Sequence, residues 1–209
     1  MQVYSIIVTR DQEMREKLLP FHFGQAMVKQ APLLLTFCAD FNRFNLWCRQ
    51  RDADPGYDNF LSFFTAAIDA LLAAQNATIA AEAHGLGVCY LGTTTYMAPE
   101  IAALLECPRG VVPVTTLVIG YPAEEPGLTD RLPLEAIVHN ESYHDYSPED
   151  IDRLYAEKEA LPHTRQLLEE NQLSTLAQIF TQKRYTRKDN EAFSRKLIEF
   201  IEKQGFMGV

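Results

Sequence analysis

The sequence predicts a mixed domain of strands and helices built around one long helix; spacing alone leaves α+β and α/β both open. Three observations carry this expectation. Short apolar or β-branched runs at residues 4–9, 33–39, 88–91 and 114–121 alternate with helical stretches. Residues 66–92, AAIDALLAAQNATIAAEAHGLGVCYLG, read as a helix of small and apolar residues. It stops at His84-Gly85-Leu86-Gly87 and passes into a strand that ends at Gly92. A helix so poor in charge is expected to be buried on all sides. Finally, 209 residues with 47% hydrophobic content suffice for one good-sized core.

Each element has a local reason. The run Tyr4-Ser5-Ile6-Ile7-Val8-Thr9 is a strand, and Asp11 caps the helix that follows it. Phe23-Gly24 turns the chain into a short helix over 25–30, which Ala31-Pro32 breaks. The continuous apolar run 33–39 fits a strand buried on both faces, ended by Asp40. Residues 41–47 are helical, a turn-rich segment surrounds Asp54-Pro55-Gly56, and the long helix starts near Asn59. Pro99 sits in the first turn of a helix ending near Glu106, where proline is tolerated. The strand at 114–121 leads into a loop over 122–133 and a short element at 136–139. Ser147-Pro148-Glu149-Asp150 then opens a charged, amphipathic helical tail. The composition shift places a boundary near Asp145. Residues 1–145 form the core, and residues 146–209 form an extension that packs on the core or on a partner subunit.

The net charge of −9 argues against nucleic acid as the main partner and suits a cytoplasmic protein. Cys38, Cys48, Cys89 and Cys107 match no metal or redox spacing, and Cys38 and Cys89 read as small core residues. The N-terminal residues lack the pattern of a signal peptide. Asp69, Gln75, Asn76, Thr78 and Glu82 make the long helix a poor membrane span.

The familiar nucleotide, zinc and serine-hydrolase motifs are missing, and the five histidines are dispersed. If the chain is an enzyme, a cofactor carries the chemistry and no metal is expected. Tyr90-Leu91-Gly92-Thr93-Thr94-Thr95 would present backbone N–H groups and hydroxyls at a strand end, although by itself the motif reads more simply as a strand-to-helix turn capped by Thr94 or Thr95. Arg131 suits an anion or a surface ion pair. Lys183, Arg184, Arg187 and Lys188 suit a phosphorylated cofactor or a solvated helix end.

Taken together, the chain resembles the FMN-dependent nitroreductase family, in its NADPH-using nitroreductase/flavin reductase branch. The resemblance rests on Gln2 with SIIVT, Gly24-Gln25 leading into FCADFNR, the 66–92 segment, VTTLVIGYP, the RLP of 131–133 and the closing KQGF. It implies an α+β fold, a mostly antiparallel sheet packed around a long buried helix, in an intertwined homodimer. One FMN would lie at each of two sites in the dimer interface. Gln2 and Tyr4 would lie beside the flavin, and Tyr90, Leu91, Gly92 and Thr93 would line its ring. Arg131 would bind the FMN phosphate, with Thr129 beside it. Arg187 would fall in the loop that contacts NADPH, with NADH the alternative donor. The implied reaction transfers hydride from NAD(P)H to a nitroaromatic, a quinone or free flavin in two half-reactions at one flavin. It needs no catalytic side chain.

Members of this family begin earlier, with a basic helix that grips the FMN phosphate. Met1 is therefore expected either to be an internal methionine of a longer protein or to start a shortened one. In the second case Arg131 would remain as the main phosphate cation, and the chain would be an interaction protein with weak flavin binding or none.

Overall fold

In the computed structural model, which describes residues 1–125 and 127–208, Tyr4–Thr9 (β1) lies at one edge of an antiparallel sheet. Leu33–Asp40 (β2) is its neighbour, Gly87–Leu91 (β3) forms the far edge, and Val111–Gly120 (β4) lies between them, in the order β1-β2-β4-β3. Every pairing is antiparallel, so the open choice resolves to α+β. The predicted loop at 122–133 is described on either side of Pro126; Pro126 and Val209 lie outside the described residues.

The central strands read as continuous apolar runs because helices cover both sheet faces. On one face Leu34, Leu91 and Val118 pack with Leu18, Val28 and Ile101. Those three come from the helices Gln12–Leu18 (α1), Met27–Gln30 (α2) and, farther along the chain, Ala98–Leu104. Asp11 caps α1, as its position suggested, by accepting from Met14 N at 2.7 Å. β4 starts three residues earlier than the sequence indicated. A register shift at Phe37/Cys38 brings Cys38 opposite Pro113 and absorbs the missing N–H.

After Asn42–Arg49 (α3), the long helix Phe60–Ala83 (α4) crosses the other face. Asn59 caps it by accepting from Ser62 N at 3.0 Å. Its C-terminus closes as a Schellman motif: Leu86 N donates to Ala81 O at 3.0 Å, with Gly85 at φ +74°. Gly87, which had looked like part of the helix stop, is instead the first residue of β3, paired with Gly120.

Within one chain α4 is not buried on all sides. Ser62, Ala66, Ala70, Ala74, Thr78 and Ala81 form a narrow buried stripe at a spacing of mostly four residues. The small side chains let the helix approach Phe37, Leu117 and Ile119 closely. Its large residues face outward: Leu61 is 72% exposed, Leu72 61% and Ile79 56%. Low charge had hidden this division, because small and large apolar residues look alike to a charge count.

Thr93–Tyr96 (α5) and Ala98–Leu104 (α6) follow β3. Beyond β4 come Pro148–Ala160 (α7), Pro162–Asn171 (α8), Leu176–Ile179 (α9) and Arg187–Lys203 (α10). Ser147 and Asp150 form the capping box that opens α7. Contacts divide the chain into two units, Met1–Glu124 with Phe193 onward, and Glu125–Ala192. The boundary therefore falls about twenty residues before Asp145. The chain end returns to the first unit, where Phe200, Ile201 and Phe206 pack with Val3, Ala39 and Val112.

Candidate functional site: two edges of one sheet

At the β3 edge the chain leaves the sheet at Leu91 and turns at Gly92 into α5. A Cβ at Gly92 would meet no heavy atom within 4 Å, so this backbone faces open space. The three threonine hydroxyls are committed inside the protein. Thr94 Oγ1 donates to Leu91 O at 2.8 Å and lies 3.1 Å from Thr116 Oγ1, which in turn lies 3.2 Å from Thr36 Oγ1. Thr95 Oγ1 donates to Gly92 O at 3.1 Å. Thr93 Oγ1 lies 2.8 Å from Nδ1 of the buried His22. What remains for a ligand is the bare backbone at Gly92, not the hydroxyls. Next to it, the Tyr90 hydroxyl donates to Gln75 Oε1 at 3.1 Å and lies 3.0 Å from Thr78 Oγ1, so α4 fixes its ring.

The β1 edge is held differently. Val3 N donates to Asp69 Oδ2 of α4 at 2.9 Å, and Val3 O accepts from Asp40 N at 2.9 Å. The Arg43 guanidinium donates to Gln2 O and to Tyr4 O, and Ser5 Oγ donates to the Asp40 carboxylate. Gln2 and Tyr4, with Arg43 and Trp47, line an open cleft of about 630 Å³.

The expected ring-binding residues therefore fall into two groups. Tyr90, Leu91, Gly92 and Thr93 sit together, and so do Gln2 and Tyr4, but the groups occupy opposite edges with two strands between them. Three strand spacings amount to about 14 Å. Within one chain the two groups stand at opposite edges of the sheet.

The other expected residues belong to the second unit. Arg131 is exposed and turned back on its own loop, donating to Asp130 O at 2.9 Å and to the Thr129 hydroxyl. Asp130 itself pairs with Lys158, which holds its carboxyl below the usual range. Arg187 opens α10, is highly exposed, and lies 4.0 Å from Glu191. Arg184 stacks over the Phe180 ring at 5.7 Å.

Sequence reasoning missed His22, and it read Asp69, Gln75 and Thr78 only as obstacles to a membrane span. Their signal was present: a polar residue on an otherwise apolar helix needs a partner, and these three hold the two sheet edges.

The nitroreductase family model matches residues 1–121, more than half of the chain. The chain belongs to the nitroreductase family. Over 144 residues it is 39% identical to the FMN reductase [NAD(P)H] of Bacillus subtilis (strain 168), covering 68% of this chain and 58% of that protein. It is equally similar, 39% over 143 residues, to the oxygen-insensitive NADPH nitroreductase of Salmonella typhimurium, again covering 68% and 58%. The chain thus spans less than two thirds of the length of these relatives. Among solved structures, a candidate oxidoreductase from Bacteroides fragilis NCTC 9343 superposes with a TM-score of 0.97 at 56% identity, over 100% of this chain and 85% of that one. The NADPH:FMN oxidoreductase of Vibrio harveyi, in complex with NAD+, superposes with a TM-score of 0.81 at 26% identity, over 100% and 82%. The family match covers the sheet, α4 and both edge groups, and stops where β4 ends.

Proposed function

We propose that this chain is an FMN-dependent oxidoreductase that moves hydride from NADPH or NADH to a small acceptor: a nitroaromatic, a quinone or free flavin. The relatives named for FMN reduction and nitroreduction support the reading. The single observation that carries it is the open backbone at Gly92, where an added Cβ would meet no heavy atom within 4 Å, which suits the approach of a flat ring. When bound, FMN would supply the two-electron chemistry. The chain's part is to bind, orient and keep water out. Leu91, Gly92 and Thr93 offer rigid backbone to one ring face, and Tyr90 closes its edge. Gln2 and Tyr4 are proposed to reach the ring from the opposite side.

The edge groups are separated by three strand spacings, about 14 Å, and are offset along the strands within one copy. We infer that a homodimer laying the β1 edge of one copy against the β3 edge of the other completes the site. The exposed large residues of α4 support this pairing, because a contiguous apolar face of this kind marks an interface. Thr129 and Arg131 for the FMN phosphate, and Arg187 for the nicotinamide nucleotide, are proposed from the family resemblance. A cytoplasmic location follows from the same reading: α4 is long and apolar enough to cross a membrane, but its alanine stripe packs on the sheet.

The test is direct. Purified protein supplied with FMN is expected to show the visible flavin spectrum and to oxidise NADPH when a nitrofuran or a quinone is added. A preparation that stays colourless and inactive with added FMN sides with an interaction protein instead.

A further inference from the structure

We propose that His22 is the positioning residue of the ring wall, fixing Thr93 and through it the Gly92–Thr93 backbone. The inference deepens the flavin-site reading and rests on it. His22 ends the turn Leu19–His22, is fully buried, and meets Thr93 across 71 residues of sequence. Its Nε2 is also buried and has no hydrogen-bond partner among the described residues. An imidazole placed this way carries a desolvation cost that an apolar residue of similar shape would avoid. The one thing it does that leucine would not is hold the Thr93 hydroxyl.

The other two hydroxyls of the junction serve the local turn, with Thr94 also reaching β4. Thr93 alone of the three is tied to the segment before α2. The next residue strengthens the same joint: Phe23 stacks on Tyr96 of α5, with ring centroids 6.3 Å apart. Two consecutive residues of one segment therefore clamp the helix that follows Gly92. Burial keeps the imidazole neutral, with a pKa lowered to about 4. The tautomer with its proton on Nδ1 strands a lone pair at Nε2 rather than an N–H, the lesser cost, so Nδ1–H donates to Thr93 Oγ1. Being fully buried, His22 cannot touch the ring, so its role is to position.

The test compares dissociation constants for FMN and riboflavin, read by flavin fluorescence quenching. The proteins are wild type, His22→Leu, His22→Asn, Thr93→Val and the His22→Leu/Thr93→Val pair. Riboflavin lacks the phosphate, so a common factor for both ligands assigns an effect to the ring. His22→Leu and Thr93→Val are each expected to weaken both ligands by about tenfold, and the pair by no more than either alone. Asparagine can place a polar atom near the Nδ1 position, so His22→Asn is expected to stay within about threefold of wild type. Unchanged affinities in both single variants, losses that multiply in the pair, or a loss confined to FMN would overturn the proposal. Should His22→Leu fail to fold, Thr93→Val decides by the same criteria. Wild-type protein that binds neither flavin overturns the flavin-site reading and this proposal with it. Wild-type binding with unaffected variants overturns this proposal alone.

Discussion

The junction after β3 and the loop carrying Arg131 are both rich in hydrogen bonds, but the bonds lead to different places. At the junction, Thr94 reaches Thr116 in β4, Thr93 reaches the buried His22, and the Gly92 backbone faces open space. On the loop, Arg131 bonds to Thr129 and Asp130, its immediate neighbours, and the guanidinium is exposed. The first region is held by the core and is ready before any ligand arrives. In the second, the Arg131 guanidinium bonds within its own loop, among the described residues, and must give up those bonds to grip an anion. On the proposed reading, the ring wall is preorganised and the phosphate cation is adaptable, so the two should respond differently to mutation.

The largest expected effect breaks the preorganised side. Gly92→Val puts a branched side chain into the open wall, where its Cβ meets no heavy atom of the protein within 4 Å. Flavin binding is expected to fall more than about 100-fold by fluorescence titration. The thermal midpoint should barely move, since the Gly92 φ of −62° suits any residue.

A second prediction uses pH. His22 has a folded pKa near 4, below its ordinary 6.5, because of burial. Between those values the unfolded chain binds the proton and the folded chain does not. The contribution is therefore fully present above about pH 6.5 and is lost as pH falls toward 4, by up to about 3 kcal/mol. Chemical denaturation of wild type and His22→Leu across this window should show the gap between their stabilities close, or reverse, as pH falls. A constant gap would mean that His22 titrates normally.

Thr94→Val comes next. It leaves the buried Leu91 carbonyl and the Thr116 hydroxyl short of a partner, and should cost about 2 kcal/mol, read as a drop of several degrees in the midpoint. The smallest effect belongs to the adaptable side. Arg131→Ala should weaken FMN by about tenfold, leave riboflavin unchanged, and leave stability within about 0.5 kcal/mol. Equal losses for both flavins would place Arg131 at the ring and erase the contrast between the regions.

Much of the first unit was legible because its signals are local. β-branching gave β1, the unbroken run 33–39 gave a central strand, and Asp11 and Asn59 each cap the helix they precede. What escaped depends on contacts between distant residues. The extent of β4 was misread because the bulge that accommodates Pro113 is a property of the β2–β4 pairing. The division of α4 within one chain was not legible because a count of charges does not separate the alanine stripe from the leucines opposite it. The edge positions of Tyr4 and Tyr90 follow from strand order, which spacing does not encode. His22 gave no signal, since a lone histidine beside phenylalanine has no pattern until Thr93 is folded against it.

The central claim is that the ring site is completed by the β1 edge of one copy and the β3 edge of another. Subunit mixing tests it most directly. Gly92→Val and the double variant Gln2→Ala/Tyr4→Ala are each expected to lose flavin binding as pure proteins. Unfolded and refolded together, they should form mixed dimers in which one site receives both damaged edges and the other receives two intact ones. With random pairing, about a quarter of all sites are then restored, which titration with FMN would report directly. No recovery of flavin binding in the mixture would contradict the account and place both edges' contributions within a single chain.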